Sequence, residues 1–153
     1  MYFWNINMLK EDIKSGNFGD KEAIVYIVIS LALYSIGLEL VSLLPMIENY
    51  NLWDYVNSFL SVLVPVLGTI YAYKKNGGDE GKDFANKYFS IGFVMGIRFL
   101  VYFIGVIVLL IIYWSYVFPN NEEMPTTFVE VLLFFIWYVA LYFQIAKHIE
   151  EIR

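Results

Sequence analysis

The stretch YFSIGFVMGIRFLVYFIGVIVLLIIYWSYVF, residues 88–118, carries a single charged side chain, Arg98, and is followed at once by Pro119. A bilayer core about 30 Å thick is crossed by roughly 20 helical residues. A run this long and this apolar predicts a membrane helix, and proline predicts its end. Three further runs have the same character. They are AIVYIVISLALYSIGLELVSLLPM (23–46), WDYVNSFLSVLVPVLGTIYAY (53–73), and a run from Thr127 to about Ala146. Asp20 is a plausible cap before the first, and Pro45 marks its end. A β-barrel would need strict alternation of apolar and polar residues, whereas these runs are continuous.

Composition agrees. The chain has 153 residues, 59% apolar, 20% aromatic and only 16% charged. Soluble domains carry about 25% charged residues. Here the charge is confined to short connectors. The net charge of -5, without a basic patch interleaved with aromatics, gives no nucleic-acid surface. There is no cysteine, so disulfides, thiolate metal sites and cysteine nucleophiles are excluded. The first run exceeds the roughly 7–15 residues of a signal-peptide core and is expected to be retained.

Basic residues set the expected direction. Lys10, Lys14 and Lys21 precede the first run, and Lys74, Lys75, Lys82 and Lys87 surround the second connector. Lys147 and Arg153 follow the last run, while 47–52 and 119–126 contain no lysine or arginine. Positive charge favours the cytoplasmic side. Both termini are therefore expected in the cytoplasm of a plasma membrane, the inner membrane if the source is bacterial. Tyr50, Trp53, Tyr55, Tyr113, Trp114 and Tyr116 would form the outer aromatic belt, with Tyr71, Tyr73, Tyr88 and Tyr142 towards the inner one.

Residues 1–19 read as a separate cytoplasmic segment, and 20–153 as the membrane domain. In the former, Ile6, Leu9 and Ile13 share one helical face, opposite Lys10, Glu11, Asp12 and Lys14. This predicts a short amphipathic helix on the leaflet, with Phe3 and Trp4 dipping into lipid. The expected fold is all-α: a four-transmembrane-helix bundle, up-down-up-down, preceded by that helix.

Few positions could carry chemistry. GGDEGKD, 77–83, has neither the glycine spacing nor the Ser/Thr of a phosphate loop, and reads as a turn with Asp79 or Asp83 capping the next helix. Arg98 lies near mid-membrane, where a charge costs about 2.5–3.5 kcal/mol. It is expected to face inward with Tyr102 and Gly105 and to find a partner, since snorkelling to the headgroups would span about two turns. Candidate partners are Glu39, sharing a face with Ser35 and Ser42; Asn57 with Ser61; and Glu130. Glu130 also fits a capping box with Thr127. Pro65, with Gly68 nearby, is expected to kink its helix. Gly92 and Gly96 form a GxxxG pair that would admit a neighbouring helix. His148 with Glu151 supplies too few ligands for a metal.

No cofactor is implied, and no catalytic constellation supports an enzyme. The expected role is a small multipass protein acting as a subunit or sensor in a membrane complex, with lipid and a second copy or another protein as partners. The alternative is a small channel, transporter or holin-like permeabilising protein with a polar path at Glu39, Asn57 and Arg98.

Overall fold

In a computed structural model the described residues are 1–43, 50–117 and 125–153, and all regular structure among them is helical. Five α-helices form: α1 (Ile6–Lys14), α2 (Asp20–Ser42), α3 (Leu52–Lys75), α4 (Phe84–Val117) and α5 (Phe128–Glu150), with a 3-10 turn at Gly78–Glu80. Pro45 and Pro119, expected as helix stops, lie outside the described residues. Helices α2 to α5 are each long and apolar enough to cross a membrane. Only 11% to 17% of each apolar segment is buried within the chain. Such outward-facing apolar surface would be unstable in water and is what lipid solvates.

Local chemistry sets the helix starts. Asn5 Oδ1 accepts from the Met8 amide at 3.2 Å to cap α1. The helix ends at Gly16, whose φ of +74° suits a residue without a Cβ. At α2 the expected cap is displaced by two residues. Glu22 accepts from the Gly19 amide at 2.9 Å, and Asp20 instead accepts from Asn86 Nδ2 at 2.6 Å, tying α2 to α4. Asn51 and Asp54 form a full capping box at α3. At α5 the box is half made. The Thr127 hydroxyl accepts from the Glu130 amide at 3.5 Å, but the Glu130 carboxylate takes the Thr127 hydroxyl at 2.9 Å rather than its backbone.

Helix α2 packs on α4, α4 on α5, and α5 on α3, so α4 and α5 form the centre and α2 and α3 the flanks. The contact between α3 and α5 runs their whole length. Asn51 Nδ2 reaches the Thr126 carbonyl at 2.8 Å at one end, and Lys75 meets Glu150 at 3.0 Å at the other. The backbones come close at Gly68, where an added Cβ would lie 2.6 Å from Tyr142 Cβ. Gly68 is thus a packing glycine. Between α4 and α5, Trp137 sits edge-on to Phe99 and tilted against Phe103, whose ring meets Phe134.

The N-terminal segment is built into this assembly. Ile6 and Leu9 are buried in one cluster with Phe93, Ile145, Ala146, Ile149 and Ile152. The apolar face expected to rest on lipid is covered by protein. Trp4 touches Arg98, while Lys14 shares a cavity with Lys87 and Arg153. Those two α4 positions are about 16 Å apart at 1.5 Å per residue, close to the length of α1 itself. Helix α1 therefore runs back alongside the first half of α4 instead of lying across it.

Candidate functional site

Arg98 lies fourteen residues into α4, about 21 Å from its start. Its partner is not a carboxylate. Nε and Nη2 both donate to the backbone carbonyl of Trp4, at 2.9 and 2.5 Å. The guanidinium carbon sits 5.5 Å from the centre of the Trp4 ring. A cation over an aromatic face gains about 0.5–2 kcal/mol, more as water is removed. Tyr102, expected on the Arg98 face, completes the group with its ring 6.3 Å from Trp4. One turn nearer the start of α4, Phe3 meets Phe93 at 5.8 Å, and Phe93 meets Tyr26 at 5.5 Å. The Tyr2 amide donates to the Tyr26 hydroxyl at 2.6 Å. Of the two aromatics expected to dip into lipid, Trp4 is the partner of Arg98 and Phe3 packs on Phe93, and both rings keep about half of their surface exposed.

The remaining polar positions are not gathered around it. Glu130, 7% exposed, accepts from the Trp114 indole at 2.8 Å and from Thr127. That group ties the far ends of α4 and α5. Glu39 lies on an exposed stretch of α2, and among the described residues its carboxylate has no hydrogen-bond partner. Ser35 and Ser42 turn back onto the carbonyls of Leu31 and Glu39. Ser61 is exposed and bonds to the Ser58 carbonyl at 2.8 Å; Asn57 is half-buried. Among the described residues no hydrogen bond joins Arg98 to any of its expected partners Glu39, Asn57 and Glu130.

Pro65 lies inside a continuous α3, and its carbonyl accepts from the Thr69 hydroxyl at 2.8 Å. That hydroxyl also meets Tyr88 OH at 2.7 Å, joining α3 to α4. The GxxxG pair admits no helix among the described residues. An added Cβ at Gly96 would meet nothing within 4 Å, and at Gly92 only Ile145 Cδ1 at 3.9 Å. Both line an open apolar groove of about 370 Å³ between α2, α4 and α5.

At the lysine-bearing ends, Lys10 pairs with Glu151 at 2.6 Å, and His148 Nδ1 lies 3.2 Å from the same carboxylate. This clamps α1 to the end of α5, a role that the lone histidine did not advertise. Lys87, 8% exposed, donates to Asn76 Oδ1 at 3.1 Å. Asp79 accepts from Tyr73 OH at 2.5 Å, while Asp83 holds the start of α4 through its backbone, its carbonyl accepting from the Lys87 amide. Compared with protein families, characterised proteins and solved structures, the chain matches none.

Proposed function

We propose that the chain is a small multipass plasma-membrane protein that acts by assembly, as a subunit or sensor in a membrane complex. Four helices cross up-down-up-down with both termini in the cytoplasm. Support for the directions comes from the pairing of like ends, Asp20 with Asn86 and Lys75 with Glu150, at the lysine-bearing side. On this reading the amphipathic α1 is docked upright on the bundle, running from the cytoplasmic end of α4 towards Arg98.

The observation that carries the assembly reading is the outer half of α2. Beyond Leu33 its described side chains are exposed or half-exposed, Tyr34 by 66%, and Glu39 stands among them. An ionised carboxylate facing hydrocarbon is costly, and a helix from a second copy or another protein would supply a donor. A photo-crosslinker placed at Tyr34 or Leu38 in native membranes should give an adduct of defined mass. One at Leu67, also exposed but on α3, should not. Absence of any adduct on α2 would defeat this reading. Orientation is tested by labelling Glu80→Cys, since the chain has no native cysteine. Labelling from the outside would reverse it.

The alternative of a small channel, transporter or holin-like protein retains one support. In a ring of copies the exposed Glu39 face would line a shared axis. Liposome flux that falls in Glu39→Gln would favour it. Within a single copy, no hydrogen bond among the described residues links Glu39, Asn57 and Arg98.

A further inference from the structure

The end of α1, the first turn of α4 and residues 152–153 enclose a polar cavity of about 400 Å³. Three basic side chains line it, Lys14, Lys87 and Arg153, against one acidic side chain, Asp83. Of the other basic groups at this end, Lys10 pairs with Glu151 and Lys75 with Glu150, while Lys21, Lys74, Lys82 and Lys147 make no ion pair among the described residues and do not line the cavity. Among the described residues, none of the three lining cations has a carboxylate within 4.0 Å.

Lys87 is the most telling. It is 8% exposed, yet its ammonium has one neutral acceptor, Asn76 Oδ1. An ammonium has three N–H donors, and a buried cation whose counter-charge, Asp83, lies beyond ion-pair distance is costly. Lys14 and Arg153 are exposed and frame the same space. The first turn of α4 adds the partial positive charge of a long helix. Asn86, also lining the cavity, is already engaged with Asp20 and leaves the cations as the available donors.

We propose that this cavity binds a phosphate group, presented either by an anionic phospholipid headgroup or by a small soluble phosphate. Phosphate suits the donor set because its oxygens take an arginine fork and lysine point charges together. The space holds a phosphate with a glycerol-sized substituent. The inference rests on the cavity alone. The lipid source also needs the topology proposed above, under which the cavity lies at the level of the cytoplasmic headgroups.

The test uses the full chain in two arms. In neutral detergent, inorganic phosphate is titrated against chloride at constant ionic strength, with calorimetric readout. In phosphatidylcholine nanodiscs with or without phosphatidate, retained lipid is read by native mass spectrometry. Saturable binding in either arm supports the site, and the arm that responds identifies the source. The exposed double variant Lys14→Ala/Arg153→Ala should weaken binding about tenfold or more, as expected for losing charge-assisted bonds. Asp83→Asn should tighten binding several-fold, because asparagine tolerates the local φ of +55° while removing the opposing charge. Misfolding would not mimic a gain. Lack of saturable binding in both arms, or binding that these variants leave unchanged, would overturn the proposal.

Discussion

Gly68 and Gly96 are both helical glycines in apolar segments, and replacing each with alanine should have opposite consequences. At Gly68 the new methyl would lie 2.6 Å from Tyr142 Cβ, a ring stem that cannot swing away like a chain end. Carbon atoms prefer about 3.5–4.0 Å, so α3 and α5 must part by about 1 Å roughly two-thirds of the way along their contact. Overpacking of this kind costs about 1–3 kcal/mol. At Gly96 the same methyl meets nothing within 4 Å. Both substitutions gain the helix propensity of alanine, about 0.8–1 kcal/mol on aqueous scales. That gain cancels when the two variants are compared, leaving the steric cost. Gly68→Ala should therefore be less stable than Gly96→Ala by about 1–3 kcal/mol, roughly a five- to 150-fold difference in unfolding constant. Reversible unfolding in mixed micelles, or steric trapping in bicelles, measures it. Gly105→Ala, with nothing within 4 Å, should follow Gly96→Ala. If Gly68→Ala and Gly96→Ala unfold together within about twofold, α3 and α5 do not meet at Gly68, and the order in which the four long helices pack is refuted.

Three further outcomes follow from the same geometry. Trp4→Leu keeps the carbonyl but removes the ring over Arg98, at a cost of about 0.5–2 kcal/mol; Arg98→Leu removes both contacts. Hydrogen exchange at α1 should quicken in the first and more in the second, and unchanged protection would show that Arg98 does not anchor the segment. The Lys10 ammonium beside Glu151 holds that carboxyl below the usual glutamate range. A lowered native pKa adds stability above the unfolded value and loses it as pH falls through the native one. The pair is partly exposed, so its share is about 0–1 kcal/mol. Protection of α1 should decline below about pH 4.3 and lose that dependence in Glu151→Gln, with an unaltered profile counting against the clamp. Trp114→Phe deprives the buried Glu130 of its 2.8 Å donor and should destabilise by about 1–3 kcal/mol. A neutral result would mean Glu130 is served by water at that end.

Some features were legible in the sequence because the physics acts on residue type. Apolar runs must be helical in lipid, since each backbone group has to be satisfied within its own segment. The four long helices follow from this, as does the cap at Thr127, where a side chain serves its own neighbours. Arg98 was legible as a problem but not as a solution. Its partner is the carbonyl of Trp4, ninety-four positions away. Every residue has a carbonyl, so no residue type announces one. The carboxylates that residue type does announce are not its partners: Glu39 is exposed, and Glu130 is bound to Trp114. The N-terminal face was legible as apolar but not by what covers it, because periodicity records that a face is buried and not whether lipid or protein buries it. The glycines show the same limit. Gly92 and Gly96 match a spacing that permits close approach, while Gly68 matches none. What decides is which neighbour lies opposite. For the flank helix α3 that neighbour is α5, although α2 and α4 are adjacent to α3 in sequence. The pairing itself is read most directly from its ends, where Lys75 and Glu150 meet from segments that sequence order would never place side by side.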